Sequence, residues 1–390
     1  MIVVLGGGSA GTAAALAAAA RHAAVRLIDG GPGATALSSG AVDGDASLGD
    51  DARAVLAALG NVELGETILA TTAGLLRRAS GADRAVLRLR SDSTVFVPDS
   101  SHPRWRGALL ARHWDASPVA TERKIRFVSG KVSLLQGESE HAMGDVELAG
   151  RHDDPERLRT LGARLKEALP PAASAVALPP WLGARESRAA MLSEIVGVPC
   201  GEVLGDPAGP SGERFVHSRD AALAKASVLV SRGRVAALSR DDDGLFVTLA
   251  NGDVIRASSV VVAIGGVAAG GIVYTPSAAI AATALPPHPR PTFSLSIESA
   301  LAIGLDGRPF LVPGSMFGIA PEELALPYGS TTVLERVGVL AESARAIDPG
   351  VHVAGDVLEG RPRTWLDALA SGTAAGLAAA AIGPKMTLAS

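Results

Sequence analysis

The chain has 390 residues, enough to bury a sizeable core and to form about two domains. Its 36 Lys and Arg against 40 Asp and Glu give a net charge of −4, a balance that gives no reason to expect nucleic acid. The single cysteine, Cys200, excludes an internal disulfide framework, points to a reducing compartment and reads as a small buried hydrophobe.

Ile2-Val3-Val4-Leu5 is a short apolar run, the pattern of a strand buried on both faces of a parallel sheet. Gly6, Gly8 and Gly11 follow, with Ser9, Ala10 and Thr12 among them, and then an alanine-rich helical tract from Ala13 to Ala20. A second strand, Ala24 to Ile28, ends in Asp29, eighteen residues after Gly11. Strand, glycine turn, helix, strand and acid in this order predict a dinucleotide site. Gly6 makes the turn, Gly8 lets a pyrophosphate approach, Gly11 lets helix and strand pack, and Asp29 accepts from an adenosine ribose. The N-terminus lacks the basic flank of a signal peptide, and three successive glycines interrupt its apolar run.

Thr35 to Asp43, with Ser38, Ser39 and Gly40, offers hydroxyl donors without bulk, as a loop against a ligand requires. From about residue 50 to about 200 the parallel-sheet pattern is lost. Helices are predicted over Asp51–Leu59, Gly65–Ala79 and Asp154–Ala168, and a strand over Lys124–Ser129. This region is expected to be an inserted domain that caps the cofactor or binds another subunit. Its His102, His113, His141 and His152 show no ligand spacing, and no metal site is expected. Ala226–Ser231, Arg234–Ser239, Leu245–Ala250 and Val254–Ala257 read as an antiparallel meander, with Asn251-Gly252 as a two-residue hairpin. Ser259 to Ile264 reads as a buried parallel strand ending in Gly265-Gly266.

Residues 270 to 330 are rich in Pro and Gly, with His288 and Arg290 as candidate contacts for an anion. Val351 to Ala354 is a terminal strand closed by Gly355-Asp356, and Leu366 onward is an alanine-rich helix through Gly372 and Thr373. A strand ending in Gly-Asp places a carboxylate beside ribityl hydroxyls, and a helix N-terminus after it favours negative charge on a reduced flavin ring. Arg361 and Arg363 lie near that end as candidate anion ligands or as solvated loop charges. Thr373–Ile382 is too short to span a bilayer.

The order of these parts resembles the FAD-dependent oxidoreductases and, more narrowly, the electron-transferring flavin subunit of anaerobic glycerol-3-phosphate dehydrogenase. Residues 36–43, Lys124 to Gly130, Leu178-Pro179-Pro180 with Leu182-Gly183, Val260 to Gly271 and Ala354 to Gly360 carry the resemblance. It implies a flavoprotein that works with a separate substrate-oxidising flavoprotein and with an iron–sulfur, membrane-associated partner, passing electrons toward a quinone. That family often lacks acids where Asp29 and Asp356 stand and is usually described with FMN. Both carboxylates here favour FAD over FMN. The segment Arg361 to Ala370 also departs from the family's glycine-rich run.

The expected fold is α/β: a Rossmann-like FAD-binding domain, with a parallel sheet and an antiparallel β-meander, carrying an inserted second domain. It is assembled from residues 1–49, 205–270 and 336–390, with 50–204 inserted and 271–335 loop-rich. The expected cofactor contacts are Gly6, Gly8, Ser9, Ala10, Gly11, Asp29, Ser38, Ser39, Gly40, Val230, Ala263, Gly265, Gly355, Asp356, Gly372 and Thr373. No general acid or base over the flavin can be named. The expected role is electron transfer within a multisubunit dehydrogenase, in the cytoplasm and at a membrane's inner face only through a partner. A self-sufficient oxidoreductase acting on a small organic acid is the alternative.

Overall fold

The computed structural model describes residues 1–276, 295–299, 302–305, 308–309, 339, 346–358 and 361–382. Arg290, His288 and Gly360 lie outside the described residues. The first elements are β1 (Ile2–Leu5), α1 (Ser9–Ala19), β2 (Val25–Asp29), β3 (Ala41–Val42), α2 (Asp50–Leu59), β4 (Val62–Ala70) and β5 (Leu76–Asp83). Then come β6 (Thr94–Asp99), α3 (Gly107–Asp115), α4 (Pro118–Arg123), β7 (Arg126–Lys131), α5 (Asp145–Arg151), α6 (Pro155–Ala168), β8 (Ala175–Leu178), α7 (Ala189–Val196), β9 (Cys200–Glu202) and α8 (Pro210–Lys225). Last are β10 (Leu229–Arg232), β11 (Val235–Asp241), β12 (Gly244–Leu249), β13 (Val254–Ala257), β14 (Ser259–Val262), β15 (Ile272–Pro276), β16 (Leu295–Ser299), β17 (Ala302–Leu305), β18 (Arg308–Pro309), β19 (Ala346–Asp348), β20 (Val351–Val353) and α9 (Trp365–Ala381).

These elements form two compact units. One comprises Met1–Ala34, Leu48–Leu56 and Ala222–Ser390, the other Thr35–Ser47 and Ala57–Ala221. The first unit is built on a six-stranded sheet in the order β10-β2-β1-β14-β20-β19. All neighbours are parallel except β19 on β20. The strands at its centre, β1 and β14, are apolar and buried at every position but the buried Ser259, so neither face of the sheet is open there. A second sheet, β13-β12-β11-β17-β18, packs Leu238, Leu245, Val247 and Ile255 into the same core as Val3, Leu5, Val260 and Val353.

The second unit holds a three-stranded antiparallel sheet, β3-β5-β4, and a four-stranded sheet, β7-β6-β8-β9, in which every pairing is parallel. Its core is aromatic at the centre: Trp114 packs on Trp105 at 6.5 Å and on Phe127 at 5.4 Å between ring centroids. Helix α6 starts where the sequence predicts, with the Asp154 side chain accepting from Glu156 N at 3.0 Å and Pro155 in the first turn.

Four expectations are corrected. Gly65–Ala79 is not a helix but most of a hairpin, β4 with β5. The β-branched Thr67, Ile68 and Thr71 favour it, and Gly74, at φ +81°, serves its turn. The parallel pattern is not lost between 50 and 200, because β6 to β9 make a second parallel sheet of short strands, with Pro98 inside β6 and Pro179 just after β8. The strand near 226–231 is not part of the meander: β10 pairs in parallel with β2. The hairpin at Asn251-Gly252 forms, with β12 and β13 antiparallel, but its loop is longer than two residues: Asn251 Oδ1 accepts from Asp253 N at 3.1 Å and Leu249 N donates to Asp253 O at 2.8 Å.

Candidate cofactor site

Strand β1 leads outward to β2 on one side and has β14 on the other, so the strand order reverses at β1. Open α/β sheets bind ligands outside the carboxyl ends of the strands at such a point. Gly6, at the end of β1, has φ +108°, and a Cβ there would lie 2.2 Å from Ala263 O at the end of β14. A Cβ on Gly11 would lie 1.9 Å from Gly6 O, so α1 starts directly against the turn. No side chain caps α1 after Gly8, and its first turn holds no acid. The positive end of the helix is therefore left for an anion. Ser9 and Ala10 are buried in this first turn, and Thr12 Oγ1 braces it from within by donating to Gly7 O at 3.3 Å.

Asp29 sits half-buried at the carboxyl end of β2, with Oδ1 accepting from Gly31 N at 3.1 Å. Val230 lies beside Leu27 on the edge strand β10 and is 39% exposed. Gly265, just past Ala263, leads into Gly266, whose Cβ would stand 2.9 Å from Asp356 Cβ. Gly355 has φ +76°, with Ala10 Cβ 2.7 Å from where its own Cβ would be, and its N–H donates to Ser371 Oγ at 3.0 Å. The backbone at the ends of β1, β14 and β20 thus converges on the first turn of α1, with Asp356 beside it.

Burial pushes the Asp356 carboxyl up, Arg363 pulls it down and Asp367 adds to the rise. Arg361 Nη2 donates to Asp367 Oδ1 at 2.6 Å, and Thr364 caps α9 by accepting from Asp367 N at 3.3 Å. Gly372 serves helix packing: its Cβ would meet Ala10 O at 2.0 Å. Thr373 Oγ1 is buried and donates to Leu369 O at 2.9 Å within its own helix. Ser371, which ties Gly355 to α9, carries no sequence signal of its own.

Ser38, Ser39 and Gly40 belong to the second unit. Ser38 Oγ accepts from Gly40 N at 3.2 Å, and Gly40, at φ +107°, accepts from Asp83 N at 2.8 Å. Beside them lies a cluster that sequence reasoning missed. Arg214 is buried with Asp83 and Glu202: Nε reaches both Asp83 oxygens at 3.1 and 3.2 Å, Nη2 reaches Glu202 Oε2 at 2.6 Å, and Nη1 donates to Gly183 O at 2.5 Å. Burial pushes Glu202 up against the pull of Arg214. His102 and His152 are buried with backbone partners, Met143 O and Leu148 O. Burial also holds the Cys200 thiol up at about 12, as suits an unreactive core residue. Among the described residues no group of His, Cys, Asp and Glu could hold a metal ion.

Residues 1–128 match the family model of an FAD binding domain. No curated protein sequence matches the chain. Among solved structures it is similar to iminodiacetate oxidase from Chelativorans sp. BNC1, at 13% identity and TM-score 0.32, over 98% of this chain and 95% of that one. It is similar to glycine oxidase from Geobacillus kaustophilus at 12% identity and TM-score 0.26, over 70% of this chain and 60% of that one. It is also similar to a peptidyl tryptophan dihydroxylase, at 15% identity and TM-score 0.25 over 68% of this chain, and spans about a third (32%) of that enzyme. The fold is a Rossmann-like FAD-binding α/β fold with an additional domain. The cofactor is FAD.

The residues at the cradle fit that group. The uncapped helix end suits the pyrophosphate, Asp29 the ribose and Asp356 the ribityl chain. Among the described residues Arg361 Nε is buried without a hydrogen-bond partner, while its Nη2 pairs with Asp367.

Proposed function

We propose that this chain is an FAD-dependent oxidoreductase that passes electrons within a multisubunit dehydrogenase similar to the anaerobic glycerol-3-phosphate dehydrogenase. The observation that carries the flavin half is the cradle where β1, β14 and β20 meet α1, inside a segment that matches an FAD binding domain. Bound FAD supplies hydride or single-electron transfer at its ring. The chain's own groups bind and orient it: Ser9 to Gly11 face the pyrophosphate, Asp29 holds the ribose, and Asp356 holds the ribityl chain. The electron-transfer half rests on the resemblance in residues 36–43, 124–130, 178–183, 260–271 and 354–360. Iron–sulfur centres and the acceptor come from partner subunits in this reading. No helix of the described residues is long and apolar enough to cross a membrane, so membrane contact is also assigned to a partner.

A second reading, a self-sufficient oxidoreductase of a small organic acid, is favoured by Arg361 and Arg363 at the start of α9, where a carboxylate would find cations. An absorbance spectrum, chromatography of the released cofactor and an assay with glycerol 3-phosphate and a dye separate the two. Bound FAD without turnover by the isolated chain supports the electron-transfer role. Turnover supports the self-sufficient enzyme, and a protein that neither carries nor takes up flavin defeats both.

A further inference from the structure

A cavity of about 380 Å³ opens in the first unit, within the ~300–1,000 Å³ of small-molecule sites. Met1, Arg240, Asp243, Gly244, Arg256 and Ser258 line it. Met1 precedes β1, Ser258 precedes β14, and Arg240 reaches Pro349 O, just before β20. The cavity therefore lies at the amino ends of these strands, whereas the flavin cradle lies at their carboxyl ends. The four residues of β1, at about 3.3 Å each, separate the two by roughly 13 Å.

The wall of the cavity is cationic. Arg240 and Arg256 come from β11 and β13, on either side of β12. Arg240 Nη2 donates to Pro349 O and Arg256 Nη2 to Asp243 O, so uncharged backbone carbonyls hold both guanidinium groups. Among the described residues Arg256 has no carboxylate partner. Gly244 keeps the space beside it clear, since a Cβ there would stand 3.9 Å from Arg256 Nε. Ser258 N donates to Met1 O at 2.9 Å and closes the floor. Asp243 is the one acid among the described lining residues, so two guanidinium groups face a single carboxylate.

We propose that this cavity is a second ligand site, which binds a phosphate group, free or as a monoester, between Arg240 and Arg256. The planar guanidinium fork matches the paired oxygens of such an anion, and partial enclosure strengthens each charge-assisted bond. The site is separate from the flavin cradle and does not depend on the flavoprotein reading.

The test is calorimetric titration of potassium phosphate into the whole chain at constant ionic strength, after loading with FAD so that the uncapped end of α1 is already filled. Saturable binding is expected at millimolar phosphate or below. Methyl phosphate identifies the source: equal affinity extends the site to monoesters, and rejection restricts it to the free ion. Arg256→Gln should weaken phosphate binding by about ten- to a hundredfold, the loss for a hydrogen bond to a charged group, and Arg240→Gln should act alike. Asp243→Asn removes the opposing charge and should tighten binding. Opposite shifts in Arg256→Gln and Asp243→Asn would not arise from loosened packing, and these two decide if Arg240→Gln does not fold. No saturable binding by the wild type, or equal affinity in Arg256→Gln and wild type, overturns the proposal. If the protein takes up no flavin, the same comparison in the flavin-free chain decides, because the substituted residues are remote from the cradle.

Discussion

Replacing Gly372 by Ala sets two effects of opposite sign against each other. Ala is the better helix former by about 1 kcal/mol, so on propensity alone α9 and the protein should gain stability. The new methyl, however, would stand 2.0 Å from Ala10 O, 2.7 Å from Ala10 C and 2.8 Å from Ala10 Cα. Both sides of that overlap are helix backbone, so no side chain can swing away. Reaching an ordinary separation moves α9 away from α1 by about 1 Å and costs at the upper end of the ~1–3 kcal/mol typical of overpacking. The net expectation is a loss of about 2 kcal/mol in urea or thermal unfolding of the FAD-free protein. Because Ala10 lies in the turn of α1 proposed to face the cofactor, FAD affinity should fall as well. Gly376→Ala, whose methyl would meet Ala14 O at 2.2 Å, should lose similar stability one turn farther from the site. A Gly372→Ala protein as stable as wild type, or about 1 kcal/mol more stable, would refute the packing argument.

Asp29→Ala should weaken FAD binding about ten- to a hundredfold, measured by titration of the FAD-free protein, because a charged acceptor contributes about 1.5–3 kcal/mol; unchanged affinity would remove Asp29 from the site. Arg214→Met leaves two buried carboxylates without their cation and should cost about 3–5 kcal/mol in denaturant unfolding. In that variant Glu202, already pushed up by burial, rises further above its unfolded value. Its contribution is therefore held at low pH and lost as pH rises through the folded value, so a loss that does not deepen from pH 5 to 8 would count against the reasoning. His152 is held at about 4 by burial and by Arg157, below its unfolded value of 6.5, so the stability it confers is present above pH 6.5 and lost as pH falls toward 4. That loss is on the order of 3 kcal/mol. His152→Asn, which keeps a donor near Leu148 O, should flatten this acid branch, and parallel wild-type and variant curves would contradict the assignment.

The sequence by itself determined the parts of this protein whose structure is local. Ile2 to Asp29 is legible because strand, turn and helix succeed one another within thirty residues and each glycine's task is steric. The buried runs at Ser259–Val262 and Val351–Val353 are legible because a strand covered on both faces is apolar throughout, and the N-cap at Asp154 because capping reaches only two or three residues. The tertiary structure decided what depends on distant neighbours. Leu229–Arg232 has the composition of a meander strand, yet it pairs in parallel with β2, a choice that only the edge left open by β2 could make. Gly65–Ala79 mixes Leu, Ala and Arg with Thr and Ile, so propensity was divided and pairing with Val62 to Asp83 settled it as a hairpin. Asp83, Glu202 and Arg214 look like three ordinary surface charges until folding removes them from water, after which they must satisfy one another. Gly372 reads as one small residue in an alanine-rich helix, and its role appears only where Ala10 of another helix comes within reach. Local stereochemistry is written residue by residue, whereas contacts between segments depend on what the rest of the chain brings alongside.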